Sequence, residues 1–168
     1  MAVDTSAIGK KTSAFRVRVE RQPVANFAAA VLDQSPEYRD RNAALAAGCK
    51  DIPAPPTYSF AMPFWGAYVS EEQPPDPTAG GVNPMHQIMG DQFAKGALVL
   101  HGEQEFEYHR PIVVGDVLDG EGVVTDVYEK DTDSATMTFV VIETVWKDAS
   151  SGEPVLTERF NLIARLRK

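Results

Sequence analysis

The chain has 168 residues, of which 43% are hydrophobic, and its formal net charge is −8. That length and composition predict one globular domain spanning residues 1–168. The excess of acidic over basic residues, 24 to 16, would repel a nucleic-acid backbone and an anionic membrane surface, so neither is expected as a partner. Cys49 is alone and no apolar signal core opens the sequence, so we expect a cytoplasmic protein.

The first third of the chain predicts one strand and two helices. Apolar residues alternate with arginines over 15–20, which indicates a short half-buried strand. Pro23 then suits the first turn of a helix whose apolar face continues to Val31. A second helix is predicted over 38–47, and Gly48 would end it.

A third helix is expected to begin at residues 55–57 and to be buried, because it is apolar nearly all round. Its apolar residues are Tyr58, Phe60, Ala61, Met62, Phe64 and Trp65. Prolines and glycines are dense after it, so residues 71–96 are predicted to form a long loop.

Four strands are predicted in the rest of the chain, over 97–109, 117–128, 134–146 and 155–166. Three of them show an apolar row, and these rows are Leu98, Leu100, Phe106 and Tyr108; Met137, Phe139, Val141 and Val145; and Leu156, Phe160, Leu162 and Leu166. Short polar connections make the last three strands antiparallel neighbours. The element order therefore predicts an α+β fold with a buried helix on an antiparallel sheet.

Three segments in order resemble MaoC-like dehydratases, and in particular the N-terminal half-domain of that group. They are SPEYRD (35–40), APPTY (54–58) and LHGEQEF (100–106), the last followed by YHRP (108–111). The resemblance implies a single hot-dog domain, in which an antiparallel sheet wraps around a central helix. It also implies reversible hydration of an enoyl thioester on coenzyme A or acyl carrier protein, with no cofactor, by domains that work in pairs.

Active members of this family carry the motif Asp-x-Asn-Pro-x-His after the first helix. The Asp and the His share the acid–base work, and a backbone N–H at the start of the buried helix stabilises the thioester oxygen. Here Asp33 and Pro36 match the motif, but Tyr38 stands in the place of the His. Pro56, which has no N–H, stands where the donor glycine would be. The resemblance therefore predicts a chain that binds the acyl group but does not catalyse.

The resemblance also assigns candidate site residues. Those expected at the acyl chain are Tyr38, Pro56, Thr57, Phe60, Phe64 and Trp65, although aromatic residues such as Phe60, Phe64 and Trp65 are more often simply core. Catalytic candidates are Asp33 and His86, with His101 as an alternative partner for Asp33. A turn cap for Asp33, a solvated loop position for His86 and a structural role for His101 are the competing interpretations.

The leading hypothesis is an acyl-thioester-binding, non-catalytic subunit of a two-chain (R)-specific hydratase or 3-hydroxyacyl dehydratase. Its partners would be an acyl-CoA or acyl-ACP thioester and a second hot-dog chain. A catalytic homodimer and an acyl-CoA-binding protein without turnover are the alternatives, and a thioesterase using Glu103 or Glu105 is a further one. The histidines, the cysteine and the carboxylates show no metal-ligand spacing.

Overall fold

The computed structural model describes residues 5–63 and 85–168, and within them the side chains of Ser13, residues 85–88 and Asp91 are not described. Five antiparallel strands form one sheet in the order β1-β3-β4-β5-β2. Their bounds are β1 Lys11–Arg18, β2 Leu98–Tyr108, β3 Val117–Asp131, β4 Ala135–Asp148 and β5 Pro154–Arg167. The predicted α+β class is confirmed, and among the described residues β1 and β2 are the two edges of the sheet.

The helices are short. They are α1 Arg21–Ala30, a 3-10 helix Pro36–Tyr38, α2 Arg41–Ala46, α3 Tyr58–Ala61 and α4 Met85–Ala94. The single helix predicted over 38–47 is divided, because the Asp40 side chain accepts a hydrogen bond from the Ala43 N–H at 2.8 Å and caps a new helix there. Within the described ranges, no helix is long and apolar enough to cross a bilayer.

The loop predicted over 71–96 is corrected at its C-terminal end, where α4 lies. Met89 is 1% exposed and Phe93, one helical turn later, packs against the same core cluster. The prolines and the glycine pair that suggested a loop all precede residue 85. This i,i+4 apolar pair is the signal for the helix that the prediction passed over.

The core consists of two clusters on one face of the sheet. One gathers β1, α1, α2 and α3 around Trp146, and the other gathers α4 around Val140 and Leu162. On β4 the core residues are Val140, Ile142 and Trp146, so the row predicted to be apolar, Met137, Phe139, Val141 and Val145, lies half-buried on the outer face. Both rows of this central strand are apolar, and alternation alone does not say which one faces the core.

The row predicted for β2 is also corrected, because the pairing register shifts between His101 and Gln104. Phe106 pairs with Glu158 on the core face of β5, whereas Leu100 pairs with Ile163 on its outer face. Because of one extra residue, odd-numbered residues face the core in the first half of β2 and even-numbered residues face it in the second half. Gly102 lies in this bulge, where a Cβ would come within 2.8 Å of the Asn161 carbonyl oxygen.

Trp146 is the largest fully buried side chain of the first cluster, and its indole ring lies against the backbone of Gly120 on β3. A Cβ at Gly120 would lie 2.5 Å from the ring carbons. The glycine is therefore required by close packing and not by its backbone angles.

We expect Gly120→Ala to lower the free energy of unfolding by about 1–3 kcal/mol, because the new methyl group pushes the indole out of a filled core. Gly90→Ala is the control. Nothing would lie within 4 Å of its Cβ in α4, and it should raise stability by up to about 1 kcal/mol. Urea unfolding followed by tryptophan fluorescence measures both, and equal stability of the two variants would contradict the packing argument.

Candidate functional site

The start of α3 is held against the sheet by backbone pairing of the segment that precedes it. Ala54 donates its N–H to the Ile112 carbonyl at 2.8 Å, and Val114 donates to the Ile52 carbonyl at 2.8 Å. Beyond this clasp, Thr57 adopts a left-handed conformation with φ of 70°. The chain thus turns sharply into α3 over the end of β2.

The backbone N–H of Thr57 is directed at the phenol of Tyr108, the last residue of β2. The N–H donates to Tyr108 Oη at 3.1 Å, and burial is the largest influence that raises the pKa of this phenol. In active members of the family that the sequence resembles, an N–H at this helix start serves the thioester oxygen. Here the N–H that follows Pro56 already has an acceptor.

A buried carboxyl group lies beneath α3. Glu158 on β5 is 7% exposed; it accepts from Ser59 Oγ at 2.9 Å and from Trp146 Nε1 at 3.1 Å. Burial raises the pKa of Glu158, and these two hydrogen bonds oppose the shift. The group joins α3, β4 and β5 through one side chain.

An aromatic trio lies on the core face beside the β2 edge. The ring centroids of His101 and Phe160 are 4.5 Å apart, and Phe60 of α3 lies 5.2 Å from His101 and 5.3 Å from Phe160. Gln104 pairs with Phe160 across the β2–β5 ladder. Its side-chain nitrogen Nε2 is buried and has no hydrogen-bond partner among the described residues. An apolar surface therefore lies next to a buried amide donor that lacks an acceptor.

Asp33 lies in a turn. Its Oδ1 accepts the Ser35 N–H at 2.9 Å, and its backbone carbonyl accepts from Arg39 Nη2 at 2.7 Å. Hydrogen bonding to Ser35 lowers the pKa of Asp33, whereas burial and the nearby Asp33 charge raise the pKa of Tyr38. The two motif positions thus influence each other electrostatically.

The structure places the other predicted site residues as follows. Pro56 and Thr57 are exposed at the start of α3, and Phe60 is half-buried in the trio with His101. His86 belongs to α4, but its side chain lies outside the described part of the chain, as do Phe64 and Trp65 entirely. Catalysis by Asp33 with His86 stays a prediction.

Sequence reasoning missed the polar residues that organise the site, namely Ser59, Gln104, Tyr108 and Glu158. For Glu158 a signal existed, because it interrupts the apolar row of Leu156, Phe160 and Leu162 on a strand. A charged residue on an apolar row indicates a buried charge with partners. No comparable signal marked Gln104, because the bulge that sets its face is not visible in the pattern.

The described residues hold no group of three or more His, Cys, Asp or Glu side chains that could hold a metal ion. The sheet wrapped around buried helical segments, with a polar site at the start of α3, defines an α+β protein of the hot-dog class. Residues 6–158 match the family model described as "FAS1-like, dehydratase domain region". The chain belongs to this dehydratase family, and the resemblance to MaoC-like dehydratases is confirmed.

Relatives of known sequence support the same family. The chain is 34% identical to a UPF0336 protein of Saccharopolyspora erythraea, over 98% of this chain and 93% of that protein. It is 29% identical to a Thermomonospora curvata protein named "Probable enoyl-CoA hydratase alpha subunit", over 83% of this chain and 43% of that protein.

Solved structures share the fold. A chain of the ChsH1-ChsH2 complex from Mycobacterium tuberculosis is 25% identical, with a TM-score of 0.68 over 91% of this chain and 83% of that chain. A MaoC-like dehydratase is 23% identical, with a TM-score of 0.66 over 95% of this chain and 42% of that chain.

Replacing Glu158 separates its charge from its hydrogen bonds. Because its folded-state pKa is raised, its stabilising contribution is complete below the pKa of the unfolded chain and is lost as the pH rises through the folded pKa. Glu158→Gln stays neutral, so its stability relative to the parent chain should increase from about pH 4 to about pH 7. Glu158→Ala leaves the Trp146 and Ser59 donors without an acceptor and should cost about 2–4 kcal/mol.

Thermal unfolding across that pH range measures all three chains. Glu153→Gln, at an exposed position after the β4–β5 turn, is the control for the loss of one carboxylate. A parallel pH dependence of Glu158→Gln and the parent chain would show that burial does not disfavour the Glu158 carboxylate.

Proposed function

We propose that this chain is the acyl-thioester-binding, non-catalytic subunit of a two-chain (R)-specific enoyl-thioester hydratase or 3-hydroxyacyl dehydratase. It would act in fatty-acid or related acyl metabolism in the cytoplasm, on a substrate carried by coenzyme A or acyl carrier protein. A second hot-dog chain would supply the catalytic Asp and His. This chain would hold the acyl group.

The observation that carries the proposal is the hydrogen bond from the Thr57 N–H to Tyr108 Oη. A backbone donor stabilises a developing oxyanion only when it is aimed at the place that the oxygen will occupy, and one such donor is worth roughly 3–4 kcal/mol. Here Pro56 stands at the position of the donor glycine and has no N–H. The next backbone donor, the Thr57 N–H, is already taken by the Tyr108 phenol.

The acid–base groups also support a non-catalytic role for this chain beside a catalytic partner. Asp33 caps a turn and its pKa is lowered, and the neighbouring Tyr38 has a raised pKa. A phenol with a pKa above its ordinary value of about 10 is neutral at physiological pH and is a poor general base. This pair lacks the imidazole on which the family's chemistry depends.

The relatives also favour a subunit role. One relative is named as the alpha subunit of an enoyl-CoA hydratase, and the 25%-identical structural neighbour was solved as a complex of two proteins. Both descriptions agree with a chain that functions beside another.

The aromatic trio and the Gln104 amide provide a surface that suits an acyl thioester. Phe60, His101 and Phe160 offer apolar area to the acyl chain, as the sequence predicted for Phe60. Gln104 lies beside this surface, and a rotation of its side chain would bring the Nε2 donor, which is buried in this structure, to a thioester or amide carbonyl of the ligand. A ligand carbonyl would satisfy a group that is otherwise costly to bury.

The activity test compares the purified chain alone with the same chain plus a catalytic hot-dog chain that carries an intact Asp-x-Asn-Pro-x-His motif. We expect no hydration of crotonyl-CoA or trans-2-decenoyl-CoA by the chain alone, measured by loss of enoyl absorbance. Turnover is expected when the catalytic chain is added. The catalytic chain alone, assayed at the same concentrations, is the control.

Turnover by the chain alone that His101→Ala or His86→Ala abolishes would replace the proposal with a catalytic homodimer. Acyl-CoA binding without turnover in any mixture would favour a binding protein without a reaction. Release of free thiol from acyl-CoA would instead indicate a thioesterase.

The variant Gln104→Met tests the role of Gln104 in ligand binding without lowering the stability of the fold. The chain should keep its stability or gain some, because an unpaired buried amide is replaced by an apolar group of similar volume. Its affinity for octanoyl-CoA should fall roughly five- to tenfold, the worth of one neutral hydrogen bond. Isothermal titration calorimetry measures the affinity, and Gln22→Met on the exposed face of α1 is the control. Unchanged affinity would remove Gln104 from the ligand site.

A further inference from the structure

The β2 edge of the sheet carries a row of acidic side chains on its outer face. Glu105 and Glu107 pair with the outer-face residues Arg159 and Thr157 of β5, and the Glu103 carboxylate accepts from the Asn161 amide at 3.3 Å. All three glutamates are exposed. The first half of the same face carries Leu98 and Leu100, which are 57% and 37% exposed.

Most of this acidic charge is unopposed. Arg159 contacts Glu105 at 3.3 Å, but it also contacts Glu143 at 2.8 Å and is shared between them. Within the described ranges, Glu103 and Glu107 have no ion pair. Over Leu98–Tyr108 the sequence contains neither lysine, arginine nor proline. The outer face of β2 is thus apolar in its first half and negative in its second.

This strand is an open edge in the described part of the chain. Over its 11 residues β2 pairs only with β5, so one row of its backbone N–H and C=O groups is available to another strand. Long edges of this kind are usually covered or protected by charge, because they otherwise recruit further strands. The aromatic trio and Gln104 lie on the core side of the same strand, so a chain that paired here would border the acyl site.

A second copy of this chain fits the edge poorly. Two-fold symmetry requires that if residue i faces residue j, then j also faces i. If two copies of β2 pair antiparallel about a point in the second half of the strand, the glutamates of one copy face the glutamates of the other. If they pair about the middle of the strand, Leu98 and Leu100 of one copy face glutamates of the other. A register centred on the leucines leaves only a few paired residues. No self-pairing register sets a base against an acid.

We propose that the β2 edge selects a partner strand that carries lysine or arginine at its outer-face positions, and that the same glutamates exclude a second copy of this chain. The partner strand, running antiparallel, would have bases in its first half facing Glu103, Glu105 and Glu107. It would have apolar residues in its second half facing Leu98 and Leu100. Opposite charges directly across a strand pair stabilise it, and like charges destabilise it.

This inference rests on the proposed function, because it assigns the chemistry of the second hot-dog chain. It extends that proposal by stating that the charges of the β2 edge favour a basic partner strand and disfavour a second copy of this chain. The discrimination arises from electrostatic repulsion against the wrong partner as well as attraction toward the right one.

A charge-reversed copy of this chain can act as the surrogate partner. Glu103→Lys/Glu107→Lys leaves Glu105 with Arg159 and adds two bases to the edge. Sedimentation velocity then compares the parent chain alone, the variant alone and their equimolar mixture. We expect the mixture to form dimers at least about tenfold more tightly than the parent chain alone at low salt. The gain should disappear at about 0.5 M salt, where the charges are screened.

The matched control is Asp133→Lys/Glu153→Lys, which makes the same change in net charge near the two hairpin turns that flank β4. Mixed with the parent chain, it should show no edge pairing beyond that of the parent chain alone. A tight dimer of the parent chain that salt does not strengthen would overturn the proposal. So would a mixture with the edge variant that pairs no better than the control mixture.

These outcomes are separable from those of the activity test. Suppose that turnover depends on a partner chain but the Glu103→Lys/Glu107→Lys variant does not pair with the parent chain. The proposed selection of a basic strand by the β2 edge would then be overturned, and the proposed subunit role would stand. Surrogate pairing without turnover in any mixture would support the edge chemistry and remove the hydratase subunit role.

Discussion

The buried carboxyl group of Glu158 is the interaction on which the site depends. It lies between the two core clusters, on the strand position between Leu156 and Phe160, and it receives donors from α3 and from β4. A carboxyl group in that position is tolerated because both of its oxygens have partners. The short helix α3 is therefore held over the sheet by a polar contact as well as by the apolar packing of Tyr58 and Met62.

The site around this contact combines the turn that holds Asp33 with the entry into α3. The chain belongs to a dehydratase family. However, a phenol stands where the family's imidazole would be, and a second phenol takes the backbone donor. Beside them lie the aromatic trio and a buried amide nitrogen that has no hydrogen-bond partner among the described residues.

The sequence predicted the antiparallel pairing of the last three strands, the α+β class and the family, because alternation, short connections and three short motifs are local signals. It misplaced the apolar rows of β2 and β4 for two different reasons. On β2 a bulge at Gly102 reverses the alternation, and on β4 both rows are apolar. The site was only partly predictable, since Asp33 and Tyr38 lie in a recognisable motif and Phe60 lies in an apolar helix pattern. Gln104 and Tyr108 acquire their roles from pairing with β5 and from the clasp at Ala54, contacts between residues far apart in the chain.

The bulge in β2 has a consequence for how such a protein can change over time. In a regular strand the side chains alternate between the two faces, so the insertion or deletion of one residue changes which residues lie on both faces. Here the extra residue near Gly102 divides the strand into two stretches with opposite phase. Substitutions in the acidic outer row leave His101 and Gln104 facing inward, and substitutions at those inward positions leave the outer row untouched. The proposed partner surface and the proposed ligand surface therefore lie on opposite faces of one strand, and a substitution can change one without changing the other.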